Sequence, residues 1–223
     1  MQEKSIAIDG PAGAGKSTLA RALARELGYF YVDTGAIYRT VALRVREAGA
    51  DPSSPEQVEP LLKGLEIRMD YDPEGEQRMY LFGADVTQAI RENEISGIAS
   101  QVATLPAVRE FLLEFQRRQA RDHNVVMDGR DIGTVVLPHA TVKIYLTATP
   151  EARARRRLAE LLAKGQPADY DTVLADIRLR DDQDTHRAVA PLRRAEDAVL
   201  LDTSDIGIEE SYALLKKTVQ DRI

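Results

Sequence analysis

The stretch Gly10-Pro11-Ala12-Gly13-Ala14-Gly15-Lys16-Ser17-Thr18 carries the spacing G-x-x-x-x-G-K-[ST]. Phosphate oxygens need several converging N–H donors. Small residues let a backbone wrap around them, and a following helix presents its positive end. Lys16 adds a mobile charge for β- and γ-phosphates. The Ser17 hydroxyl can join the shell of a Mg²⁺ ion, which prefers phosphate oxygens and water. The bland alternative is a glycine-rich turn without a ligand, and the position of the motif between an apolar run and a helical pattern argues against it. A second feature, Val125-Val126-Met127-Asp128, is an apolar run closed by a carboxylate. It fits a residue that holds a magnesium-bound water, and equally a turn or helix cap.

The elements that must position these residues can be read on either side. Ser5–Asp9 reads as a buried strand, and Leu19, Leu23 and Leu27 then recur every fourth residue up to Gly28. A strand over Tyr29–Val32 leads through Asp33-Thr34-Gly35 into a helix marked by Ile37, Tyr38, Val41, Ala42 and Val45. This βαβα order predicts a parallel sheet. The pattern then changes period, because Leu65, Ile67, Met69 and Tyr71 alternate with polar residues, and Asp72-Pro73-Glu74-Gly75 turns the chain into a second alternating run over Arg78–Phe82. An inserted antiparallel hairpin is expected there. Helical spacing returns through Ile95, Ile98 and Val102 and through Val108 to Phe115, before strands at Val125–Asp128 and Val142–Thr147. Thr149 and Pro150 open a helix carrying Arg153, Arg155, Arg156 and Arg157, which Gly165 stops. A helix from about Asp171, a strand at Ala198–Leu201 and a helix after Gly207 complete the chain.

Composition narrows the chemistry further. With 223 residues, 43% of them hydrophobic, the chain can bury one core carrying an insertion. Asp plus Glu number 36 against 30 Lys plus Arg, so general attraction to a nucleic acid polymer or a membrane surface is not expected, and any anion must be held by local basic clusters. The absence of cysteine removes thiolate sites and disulfides and suits a cytoplasmic location. The 3 histidines are too scattered for a zinc site. The residues up to Asp9 lack a basic region leading into a long apolar stretch, so neither a leader nor a spanning helix is expected there.

A phosphate loop alone fits a GTPase, a motor, a transporter ATPase or a small-molecule kinase, so the partner anion must be read elsewhere. Arg39, Arg130 and Arg187 lie in segments that a parallel sheet brings to the carboxyl ends of its strands, beside the loop. Guanidinium forks match phosphate geometry, and a second phosphate entering the site must be neutralised before two anions can approach. A phosphate monoester can attack without losing a proton, so alignment and charge compensation would carry the rate, with finger-type arginines worth about 10³–10⁵. An alcohol acceptor would instead call for a carboxylate such as Asp33 near its proton.

Four ordered stretches stand out: Gly10–Thr18, Asp33-Thr34-Gly35-Ala36-Ile37-Tyr38-Arg39, Asp128-Gly129-Arg130-Asp131-Ile132-Gly133-Thr134-Val135-Val136, and Arg180-Asp181-Asp182-Gln183-Asp184 with Arg187-Ala188-Val189-Ala190-Pro191-Leu192. Together they resemble the bacterial cytidylate kinases of the nucleoside monophosphate kinase family. The resemblance implies an α/β P-loop kinase with five parallel strands in the order 2-3-1-4-5. It implies a core over 1–62 and 106–223, an inserted nucleoside-monophosphate-binding domain over 63–105, and a lid over about 151–170. It further implies reversible transfer from ATP to CMP or dCMP. The motifs themselves point to Mg²⁺ as cofactor, with Ser17 and Asp128 on the metal side. A monomer is expected, because no apolar helix face is left without a core partner.

Position by position, Thr34, Arg39, Arg130 and Arg187 are expected at the CMP phosphate, Arg180 and Asp184 at the sugar, and Ser100, Arg109 and Asp131 at cytosine. The base set makes chemical sense, because the N4 amino group can donate to a carboxylate or hydroxyl while N3 and O2 accept from arginine. Thr34 stands where many members have serine, with the same hydroxyl. Lys16, Arg130, Arg187 and the lid residues Arg156 and Arg157 are the candidate catalytic groups, although one helix face cannot aim all four lid arginines at one phosphate.

Overall fold

A computed structural model describes residues 4–223, and residues 1–3, part of the stretch on which the expectation about a leader rests, lie outside the described part. The apolar run after Lys4 forms β1 (Ser5–Asp9), buried from Ile6 onward because helices cover both faces of the sheet it belongs to. The phosphate loop follows, and then come α1 (Lys16–Leu27), β2 (Phe30–Asp33), α2 (Thr34–Glu47) and α3 (Pro55–Leu62). A hairpin of β3 (Ile67–Tyr71) and β4 (Gln77–Leu81) is extended by the short β5 (Ala84–Asp85), and α4 (Asn93–Val102) and α5 (Pro106–Asp122) lead back to β6 (Val125–Gly129). The remainder runs β7 (Val142–Thr147), α6 (Pro150–Ala163), α7 (Tyr170–His186), β8 (Val199–Asp202) and α8 (Ile208–Gln220).

The large sheet is ordered β2-β6-β1-β7-β8, which is 2-3-1-4-5 among its own strands, and each pairing is parallel. The small sheet is antiparallel, ordered β3-β4-β5. Period-2 alternation sends neighbouring residues of β1 to opposite cores. Ala7 joins Val32, Ile37, Val41, Val108, Leu112 and Met127, together with Met79 and Leu81 of the small sheet. Ile6 and Ile8 instead join Leu19 and Leu23 of α1 and Leu215 and Val219 of α8. Each leucine so buried contributes about 2 kcal/mol of transfer free energy.

Three elements depart from the expected pattern. α3 was not anticipated, since it holds Pro55 in its first turn and Pro60 inside, and prolines argue against a helix unless tertiary contacts, here through buried Val58, outweigh them. β5 is two residues long, below what alternation can reveal. Ile132–Val136 forms a single π-helical turn, in which Leu137 N–H donates to Ile132 O at 2.7 Å. No element is expected there from the sequence, and a buried carboxylate described below holds the turn in place.

Candidate functional site

All five parallel strands end on the same side, and the carboxyl ends of β1, β2 and β6 deliver parts of one site. The segment after β1 must bend sharply at Gly10, where a Cβ would lie 1.9 Å from Leu146 O, so no other residue fits. α1 begins after Gly15 with no side chain capping its first turn, which leaves its amino-terminal N–H groups directed at the loop interior. Lys16 is buried within this cradle, its Nζ donating to Pro11 O at 2.7 Å. Burial, and then the charge of Arg130, push the Lys16 ammonium below its ordinary range. Ser17 Oγ donates to Asp128 Oδ2 at 2.8 Å and Tyr31 OH to Asp128 Oδ1 at 3.0 Å. Burial and then Asp33 raise the Asp128 carboxyl.

The other side of the site is a cleft of about 610 Å³ of open space, lined by Thr34, Arg39, Ser100, Arg109, Arg130, Asp131, Arg180, Asp184 and Arg187. The structure thus brings together every residue that the resemblance placed at the acceptor. Five of these are guanidinium groups and two are carboxylates, a strongly positive lining in a chain whose net charge is −6. Arg130 Nε donates to Asp184 Oδ2 at 2.7 Å. Asp131 forms a buried ion pair with Arg109, and Arg187 reaches its other oxygen at 3.4 Å. Arg180 donates to Ser96 O at 2.9 Å and to Ser100 Oγ at 3.2 Å. Burial lowers the Arg180 and Arg187 guanidiniums, with Arg130 and Arg109 respectively adding repulsion. Crowded cations of this kind are stabilised by an incoming anion.

At the end of β2, Asp33 is fully engaged. One oxygen accepts from Ala36 N–H at 3.0 Å and caps α2, and the other holds Arg39 at 2.8 Å. This occupation leaves it poorly placed as a base for an alcohol. Thr34 Oγ1 donates to Asp128 O at 2.7 Å, and the two segments meet so closely that a Cβ on Gly129 would lie 2.7 Å from that hydroxyl.

The four arginines of α6 separate. Arg155 is exposed. Arg156 donates to the carbonyls of Thr203 and Ile206 after β8, the second at 3.4 Å. Arg157 pairs with Glu160 at 3.3 Å, and its charge reaches Arg180. Arg153, which the sequence did not single out, is 2% exposed. It donates to Ala12 O of the phosphate loop at 3.0 Å and grips Asp181 of α7 through two bonds of 2.9 and 2.5 Å. It ties the loop to the helix that carries Arg180, Asp184 and, at its end, Arg187.

Asp9 was also missed. Its two oxygens accept the N–H groups of Ile132 and Gly133, each at 2.7 Å, and so fix the turn that follows Asp131. No sequence signal marks it beyond its place beside Gly10. Burial raises its carboxyl from 3.8 to about 6. Between those values the folded state holds more proton than the unfolded, so this group's contribution to stability falls as pH rises from about 4 to about 6. In urea unfolding, the stability of the wild type relative to Asp9→Asn is expected to fall by about 2–3 kcal/mol across that window. A difference that stays flat with pH would show that Asp9 does not titrate there.

Comparison with known proteins agrees with this geometry. The family model described as cytidylate kinase matches residues 6–221. The cytidylate kinase of Pelotomaculum thermopropionicum is 50% identical, with 95% of this chain and 93% of that protein covered. That of Rhodococcus opacus is 49% identical, over 97% of this chain and 95% of its own. An uncharacterized protein from Eubacterium ventriosum, 12% identical, shares the fold over 99% of this chain and 100% of its own with a TM-score of 0.55. A phosphate cradle facing a cleft of guanidiniums, in a sequence that follows one family model from its first strand to its last helix, places this chain in the cytidylate kinase family.

Proposed function

We infer that the chain catalyses reversible transfer of the γ-phosphoryl group of ATP to CMP or dCMP, giving ADP with CDP or dCDP. The observation that carries this reading is the convergence of the acceptor residues in one cleft beside the phosphate loop. An oxygen of the acceptor phosphate forms the new bond to the γ-phosphorus while the bond from that phosphorus to the β–γ bridging oxygen breaks. The attacking phosphate is already ionised, so no general base is required, and the chain's task is to align two anions and screen their repulsion. Lys16 and the α1 terminus face the donor phosphates, while Thr34, Arg39, Arg130 and Arg187 hold the acceptor phosphate. Arg180 and Asp184 serve the sugar. Asp131 accepts from the N4 amino group of cytosine, and Arg109 and Ser100 complete its edge.

Mg²⁺ fits the donor set. Among the described residues no three His, Cys, Asp or Glu side chains form a cage. A hydroxyl joined to a buried carboxylate suits an ion that takes most of its ligands from phosphates and water. Ser17 would hold it directly and Asp128 would hold a water bound to it; the ion offsets the charge of the phosphates. We further propose that residues 63–105 act as the nucleoside-monophosphate-binding domain and about 151–170 as the lid, with Arg156 and Arg157 closing over ATP. We also place the chain in the cytoplasm as a monomer, a setting compatible with its lack of cysteine; among the described residues no helix is long and apolar enough to cross a membrane.

A panel of acceptors in an ADP-release assay tests the assignment. CMP and dCMP should turn over, with CMP preferred to UMP roughly 10- to 150-fold in kcat/KM, because uracil presents an acceptor where Asp131 needs a donor. Turnover of AMP or shikimate without turnover of CMP would remove it.

A further inference from the structure

β2 is an edge strand of the large sheet. Phe30 N–H donates inward to Asn124 O, so Tyr31 and Asp33, one and three residues on, present backbone groups to the open side. An open edge is normally covered or blunted. Here two side chains of the β3–β4 hairpin cover it. Tyr71 OH donates to Tyr31 O at 3.0 Å. Asp33 N–H donates to Gln77 Oε1 at 2.7 Å, and Gln77 Nε2 donates back to Asp33 O at 3.3 Å. Gln77 is 8% exposed, and Tyr71 and Gln77 stand opposite each other in the hairpin register.

A carboxamide carries the donor and acceptor of a peptide group, so Gln77 acts as one rung of a ladder that the hairpin backbone does not itself build. The residue it grips is Asp33, whose carboxylate caps α2 and holds Arg39, and whose neighbour Thr34 is bonded to Asp128 O. We propose that Gln77 and Tyr71 are positioning residues that transmit the placement of the small sheet to the acceptor-phosphate segment Asp33–Arg39. Met79 and Leu81 anchor the small sheet in the core it shares with Val32 and Ile37, and the side chains of Gln77 and Tyr71 are what join it to the open backbone groups of β2. The inference rests on reading the cleft as a CMP site. The chain of bonds ends at the phosphate residues and does not run to Asp131 or Arg109, so its loss acts on the phosphate and spares the base.

The test compares dissociation constants for CMP and for cytidine, which lacks the phosphate, by calorimetry on wild type, Gln77→Leu and Tyr71→Phe, each with a thermal midpoint. Gln77→Leu is expected to weaken CMP about tenfold and Tyr71→Phe about threefold, with cytidine binding unchanged within about twofold. Tyr71→Phe keeps its ring against Phe30, 4.6 Å away, and carries the test if Gln77→Leu does not fold. Parallel loss of both ligands, or a lowered midpoint with an unchanged CMP-to-cytidine ratio, would mean a merely structural role and overturn the proposal. Wild type that binds CMP, with both variants indistinguishable from it, overturns the proposal alone. Wild type that does not bind CMP overturns the cleft assignment together with it.

Discussion

Lys16→Ala is expected to lower kcat by about 10³-fold while leaving the protein folded and at least as stable as the wild type. The two halves of that expectation share one cause. Lys16 is buried, and its ammonium is held below its ordinary range by desolvation and by Arg130. A cation so placed costs stability in the unliganded protein, because the folded state disfavours its charged form. That cost offsets nothing until phosphate oxygens enter the cradle, where a preplaced charge need not reorganise during the reaction. Steady-state ADP release and thermal unfolding on the same preparation check both halves. A variant keeping a tenth or more of wild-type kcat would remove Lys16 from the donor site. A variant that loses activity only by unfolding would make the residue structural.

Arg130→Ala should reduce kcat/KM for CMP by about 10³-fold, chiefly through KM, with KM for ATP changed by no more than about threefold. Arg130 lies between the two halves of the site. Its Nε is bonded to Asp184 at 2.7 Å, and its charge is among those that depress Lys16. Truncation removes one cation from the lining and leaves the Asp184 carboxylate without its 2.7 Å partner. Arg130→Lys should recover part of the loss, since a lysine restores the charge without the planar fork. Equal damage to both KM values would place Arg130 in the framework rather than at the acceptor phosphate. Normal CMP turnover would contradict the assignment outright.

Much of this molecule was legible before its structure. Gly10–Thr18 between an apolar run and a four-residue periodicity predicts strand, loop and helix, and β1, the loop and α1 occupy those positions. The switch to two-residue alternation near Leu65 marks the small sheet, and Thr149-Pro150 opens α6 with its hydroxyl accepting from Ala152 N–H. These signals are local, since a side chain's periodicity or capping chemistry depends on neighbours within a turn or two. In the acceptor cleft, parallel-sheet topology brought Arg39, Arg130 and Arg187 beside the loop, and resemblance alone supplied the sugar and base residues. Ser100, Arg109 and Arg180 have no spacing that distinguishes them from solvated surface arginines and serines.

The roles of Asp9, Arg153 and Gln77 were not legible for a different reason: their partners are backbone atoms or carboxylates far along the chain. Asp9 serves Ile132 and Gly133, Arg153 joins Ala12 to Asp181, and Gln77 completes Asp33. Of four arginines on one helix, packing alone selected Arg153 for burial and left Arg155 in solvent. The order of elements, the phosphate cradle and its lysine follow from the amino-acid order, because they need only contiguous residues. Which charges face one another, and which carboxylates are filled by the protein's own donors, follow from the close approach of distant segments. In a low-dielectric interior that approach sets both the strength of each pair and the penalty for leaving a group unpaired.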